Sequence, residues 1–164
     1  MFATTIIKTT RRLPIALAAL GLAAVWAPAQ AGAQQAPPAP ADETIILEAG
    51  NFCSFEVEIV VEGKFAILAL PNATIYTAPS QTATVTNTET GETIELHVSG
   101  TAKVLRTGEV VFVGPSLIRR HPDFGDDVAA LVYVAGRWVF DPEAPAGLKL
   151  TGVGQYVDIC AALA

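Results

Sequence analysis

From residue 43 onward the chain is a succession of short apolar runs separated by Gly, Pro, Asn or Thr, and the runs alternate with a period of two. The clearest spans residues 55–62. Phe55, Val57, Ile59 and Val61 fall on one face and mainly Glu on the other, the pattern of a half-buried strand. Gly63-Lys64 reads as a turn into residues 65–70, which are apolar on both faces and end at Pro71-Asn72. Residues 82–86 and 93–98 flank a polar stretch with Gly91 late in it, as in a bulged hairpin. The same logic pairs residues 102–106 with 109–113 across Thr107-Gly108, and residues 128–134 with 138–140 near Gly136-Arg137. Residues 148–153 supply one more strand, and residues 158–164 allow a final turn or short helix. A count of about eight to ten short strands predicts an all-β domain over residues 43–164, an antiparallel β-barrel or β-sandwich.

Upstream the pattern changes twice. Residues 32–42 (GAQQAPPAPAD) carry no apolar periodicity and read as a disordered Pro/Ala-rich linker. Before them, Lys8, Arg11 and Arg12 precede an apolar run over residues 13–26, followed by the small-x-small signatures Ala29-Gln30-Ala31 and Ala31-Gly32-Ala33. That order of charge, apolar core and small residues predicts a signal peptide over residues 1–31, cleaved after Ala31 or Ala33, and a secreted, extracellular product. The run is shorter than the roughly 20 apolar residues of a membrane span and is bracketed by Pro14 and Pro28, so no span is expected in the mature protein. Arg11-Arg12 also permits twin-arginine export. Pro14 stands where such signals carry a bulky apolar residue, which favours the general secretory route.

Cleavage after Ala31 would leave seven Lys/Arg against sixteen Asp/Glu. A surface that acidic argues against nucleic acid and anionic lipid as partners, because both are recognised by clustered cations. In an exported protein the two cysteines, Cys53 and Cys160, are expected to form a disulfide. Closing a loop of about a hundred residues stabilises by up to about 4–5 kcal/mol in the chain-entropy model.

Candidate chemistry is sparse. No cofactor motif is present. The segment containing His121, Asp123, Asp126 and Asp127 is the one local convergence of ionisable types and the weak candidate for a divalent metal or for barrel-enzyme chemistry. Its spacing departs from the calcium-loop template, and Arg119 and Arg120 beside it fit an ordinary solvated loop. Four serines follow the signal and none stands in a G-x-S-x-G elbow. Strand alternation puts His97 with Thr93 and Glu95 on a polar face, away from a productive partnership with Ser99. Glu56 and Glu58 share a strand face about 6.5–7 Å apart, and read as charges guarding an edge strand against mispairing. Asn72-Ala73-Thr74 matches a glycosylation acceptor, to which no function is attached. Phe112, Tyr133, Trp138 and Phe140 read as core aromatics, or as the lining of an apolar cavity if the sheet curls around one.

The run Val85-Thr86-Asn87-Thr88-Glu89-Thr90-Gly91-Glu92-Thr93-Ile94-Glu95-Leu96, the later Gly136-Arg137-Trp138-Val139-Phe140, the early Phe52-Cys53 and the ending Val157-Asp158-Ile159-Cys160-Ala161-Ala162-Leu163-Ala164 resemble small secreted β-domain proteins of high-GC Gram-positive bacteria. The resemblance covers residues 51–164. It implies export, a β fold and a disulfide between the two cysteines, and it carries no activity and no catalytic residue. Three readings therefore stand together. One is a non-catalytic β-domain that binds a protein or surface outside the cell; the second is a β-barrel carrying a small apolar ligand; the third is an enzyme built on the loop of His121, Asp123, Asp126 and Asp127.

Overall fold

The computed structural model of the chain describes Gln34–Gln35, residues 37–124 and residues 126–164. The expected signal peptide and both cleavage positions lie outside the described residues. Among the described residues thirteen strands form two sheets, antiparallel throughout. The smaller sheet has the order β3 (Glu43–Leu47), β4 (Val57–Glu62), β7 (Thr82–Asn87), β8 (Thr93–His97). The larger begins with β1 (Gln34–Gln35) and β2 (Ala39–Pro40), both paired to β5 (Lys64–Leu70). It continues through β6 (Ala73–Thr77), β9 (Thr101–Leu105) and β10 (Val110–Val113) to β12 (Ala130–Phe140), which β11 (Ser116–Arg120) and β13 (Leu150–Asp158) also flank. Each sheet ends in open edges, so the described residues form no closed barrel. The segment 32–42, read as a disordered linker, contributes β1 and β2, with Pro40 on an outer strand where its missing N–H costs no ladder bond.

The two expected hairpins β7–β8 and β9–β10 are present, with Thr86 opposite Thr93 and Val110 opposite Val104. Two other turns are not. Gly63 does not fold β5 back on β4; it passes one long strand from the small sheet to the large one. Its φ is +125°, and a Cβ there would stand 2.7 Å from the Ser80 carbonyl oxygen. The neighbouring strands cross the same corner, β6 into β7 at residues 78–81 and β8 into β9 at residues 98–100. Strands that change sheets at bends are how two sheets meet at a steep angle.

Likewise residues 130–140 form one strand, not a hairpin centred on Gly136-Arg137. Gly136 lies opposite Gly154, and the Gly114 N–H donates to the Gly136 carbonyl at 2.8 Å, so three glycines with positive φ stand in a row across adjacent strands. An extended strand of that length would span roughly 35 Å. Yet the Gly147 N–H beyond one end donates to the Asp127 carboxylate before the other, while the Asp141 N–H and Lys149 carbonyl close the β12–β13 loop. The hairpin must therefore bend sharply. The glycine row supplies the place, because a Cβ on Gly154 would lie 2.0 Å from the Ala135 carbonyl oxygen.

The main core lies between the small sheet and the β11–β12–β13 end of the large one. It contains Leu47, Val57, Ile59, Ala83 and Val85 from the small sheet, Leu131 from β12, and Ile159 and Leu163 from the C-terminal segment, with Leu117, Tyr133 and Val157 packed against it. The alternation over residues 55–61 is the one read from sequence, with Phe55, Val57 and Ile59 buried. Residues 159–162 form the short helix α1 (Ile159–Ala162), capped by the Asp158 carboxylate, which accepts from the Ala161 N–H at 3.1 Å. Cys53 and Cys160 are disulfide-bonded, with Cα atoms 5.3 Å apart across 107 positions of sequence.

Candidate functional site

Where the two sheets diverge from the packed core, small residues replace large ones on their facing surfaces. Ala83 on β7 and Ala102 on β9, with Gly100 at the corner, leave space that the neighbouring Ile59 and Val61 do not fill. The result is a cavity of about 680 Å³, within the 300–1,000 Å³ range of small-molecule pockets. One wall is Ile45, Ile59 and Val61 of the small sheet; the other is Phe65, Tyr76, Phe112 and Leu117 of the large. Phe65 and Tyr76 rest against each other with ring centroids 5.9 Å apart. The exposed lining residues Pro40, Asp42, Glu43 and Arg119 mark its mouth.

Arg119 reaches the mouth because strand alternation carries it there. It shares a face of β11 with Leu117, which packs against the core, whereas Arg120 points the other way. Arg120 is fully engaged. Its Nε and Nη2 donate to the two oxygens of Asp126 at 2.8 and 2.9 Å, and Asp127 lies 3.7 Å from Nη2. Burial alone would raise the Asp126 pKa, but the bonds from Arg120 and from the Asp127 N–H outweigh it and hold the carboxyl below the ordinary carboxylate range. Burial would lower the Arg120 pKa, and Asp126 and the Tyr156 hydroxyl together hold it above its usual value.

This pairing divides the candidate loop. Asp126 is buried against Arg120, and Asp127 turns to Gly147. His121 Nδ1 accepts from the Asp123 N–H at 3.2 Å, and its ring lies 5.2 Å from that of Phe52. The four side chains do not converge on a common point, and no group of three or more His, Cys, Asp or Glu among the described residues is arranged to hold a metal ion. His97 is exposed on β8 opposite Thr82, on the polar face expected for it. Glu58 does not guard an edge. It sits on β4 between Ile46 of β3 and Thr86 of β7, in the interior of the small sheet. Glu56 accepts a hydrogen bond from the Thr88 hydroxyl at 3.1 Å. Tyr133 packs against the core as expected, Phe112 lines the cavity, and Trp138 lies against Tyr156 at 5.6 Å.

Two features here have no local signature in the sequence. The cavity is lined by Ala83 of β7 and Ala102 of β9, on different sheets, a combination that no local pattern encodes. Asn87 reads as a loop residue yet is buried: its Nδ2 donates to the Leu163 carbonyl at 2.9 Å, and its Oδ1 accepts from the Glu89 and Thr90 N–H groups at 3.0 and 3.3 Å. One side chain thereby closes the β7–β8 turn and holds the C-terminal segment over the core. Comparison of the chain with family models, with curated proteins and with solved structures finds no match.

Proposed function

We propose that this is a non-catalytic binding domain of sandwich type, exported from the cell, that takes a small apolar ligand between its two sheets. The observation that supports the reading is the cavity of about 680 Å³ walled by Ile45, Ile59, Val61, Phe65 and Phe112. Apolar walls at that size give a large gain on ligand burial, about 0.8 kcal/mol for each CH₂ group removed from water. Part of that gain offsets the several kcal/mol lost when two molecules become one. A ligand of eight or more carbons is what leaves a useful surplus.

Export is consistent with the disulfide, and no helix among the described residues is long and apolar enough to cross a membrane. The test is saturable binding of an alkyl-chain fluorophore to the purified domain. The reading predicts one site per chain, abolished by Ala102→Phe with the far-ultraviolet spectrum unchanged. Binding that survives the filled cavity would place the ligand elsewhere and overturn the reading.

A further inference from the structure

Resting on the reading of the cavity as an apolar ligand site, we infer that its ligand carries an anionic head group, a carboxylate on an alkyl chain, held at the mouth by Arg119. Arg119 is the one cationic side chain among the described residues that line the cavity. It stands on the inward row of β11 and has no carboxylate within ion-pair distance among the described residues. Its neighbour Arg120, two carboxylates close by, shows what a structurally committed arginine looks like in the same strand.

Two acids, Asp42 and Glu43, also line the cavity and oppose an anion there, so the attraction has to come from Arg119. Asp42 accepts from the Gly63 N–H at 3.2 Å, and Glu43 begins β3, so both belong to the rim formed by the incoming chain. A carboxylate entering the cavity is repelled on that side and attracted on the β11 side, which fixes the end of the ligand that stays at the surface. The guanidinium offers a planar pair of N–H donors matched to the two oxygens of a carboxylate. An uncharged alcohol of equal length gains the burial of its chain without that pair.

The experiment compares decanoate with decanol by displacement of the alkyl fluorophore from the intact domain and four variants, Ala102→Phe among them. Arg119→Met should weaken decanoate by about three- to tenfold, the range for an exposed charge-assisted pair, and decanol by less than twofold. Arg119→Lys should recover part of the loss, and Glu43→Gln should tighten decanoate while leaving decanol unchanged. If Arg119→Met weakens both ligands equally or neither, the head-group assignment is wrong although the cavity still binds. If neither ligand binds the parent domain, or Ala102→Phe leaves both affinities intact, the cavity reading itself fails and this inference falls with it.

Discussion

Replacement of Asn87 by Ala should be among the most damaging changes of a polar side chain. In the folded chain Asn87 is 2 % exposed, and its amide satisfies the Leu163 carbonyl at 2.9 Å. Truncation leaves that carbonyl beside the core without a donor, a cost of about 1–3 kcal/mol. The two turn N–H groups of Glu89 and Thr90 also lose their acceptor; they lie near the surface, where water can replace it, and add about 0.5–1 kcal/mol together. The expected loss is about 1.5–4 kcal/mol, which for a domain of this size lowers Tm by about 6–15 °C. Thermal unfolding followed by circular dichroism measures it. Thr88→Ala serves as the reference, because Thr88 bonds only to the exposed Glu56 side and should cost under about 1 kcal/mol. Hydrogen exchange adds location: amides of residues 159–164 should lose protection in Asn87→Ala and keep it in Thr88→Ala. A Tm within 2 °C of the parent, or an unchanged exchange pattern at the C-terminus, would refute the claim that Asn87 holds this segment down.

Three further outcomes follow from particular contacts. Gly154→Ala puts a Cβ 2.0 Å from the Ala135 carbonyl oxygen at a φ of +134°, whereas Gly147→Ala at φ +79° meets nothing within 4 Å; chemical denaturation should show a loss above about 3 kcal/mol for the first and about 1 kcal/mol for the second. Asp126→Asn should destabilise by about 1–3 kcal/mol near neutral pH by leaving the half-buried Arg120 poorly matched. Because the folded Asp126 pKa is lowered, its contribution is present above the unfolded value of 3.8 and fades as pH falls through the folded one. The stability difference between parent and variant should accordingly shrink on acidification below about pH 4, and a difference independent of pH would contradict the pairing. Cys53→Ser with Cys160→Ser should lose up to about 4–5 kcal/mol, read as a lower denaturation midpoint that matches the reduced parent protein.

The strands that repeat a period of two were legible in the sequence, since Phe55, Val57 and Ile59 must share a face whatever sheet they join. So were the hairpin at residues 87–92 and the pairing of Cys53 with Cys160. The corners were not. Gly63-Lys64 and Gly136-Arg137 carry the same local chemistry as hairpin turns, and only the strands alongside them decide that the chain bends across a sheet instead of reversing. The candidate loop shows how little closeness in sequence says about convergence in space. His121, Asp123, Asp126 and Asp127 are close in sequence, but Arg120 draws Asp126 to one side and leaves His121 with Asp123 on another. An apolar cavity was raised only as an alternative, with Phe112 among its possible lining, and its place was not legible because it depends on the small side chains of Ala83 and Ala102 on different sheets.

If a ligand chain lies between the sheets, a crystal structure of the domain grown with an ω-brominated alkyl carboxylate should show an anomalous bromine peak between Ile59 and Phe112 with the carboxylate at Arg119. A bromine peak on the outer surface, or an interior closed by side chains with no ligand density, would contradict that placement.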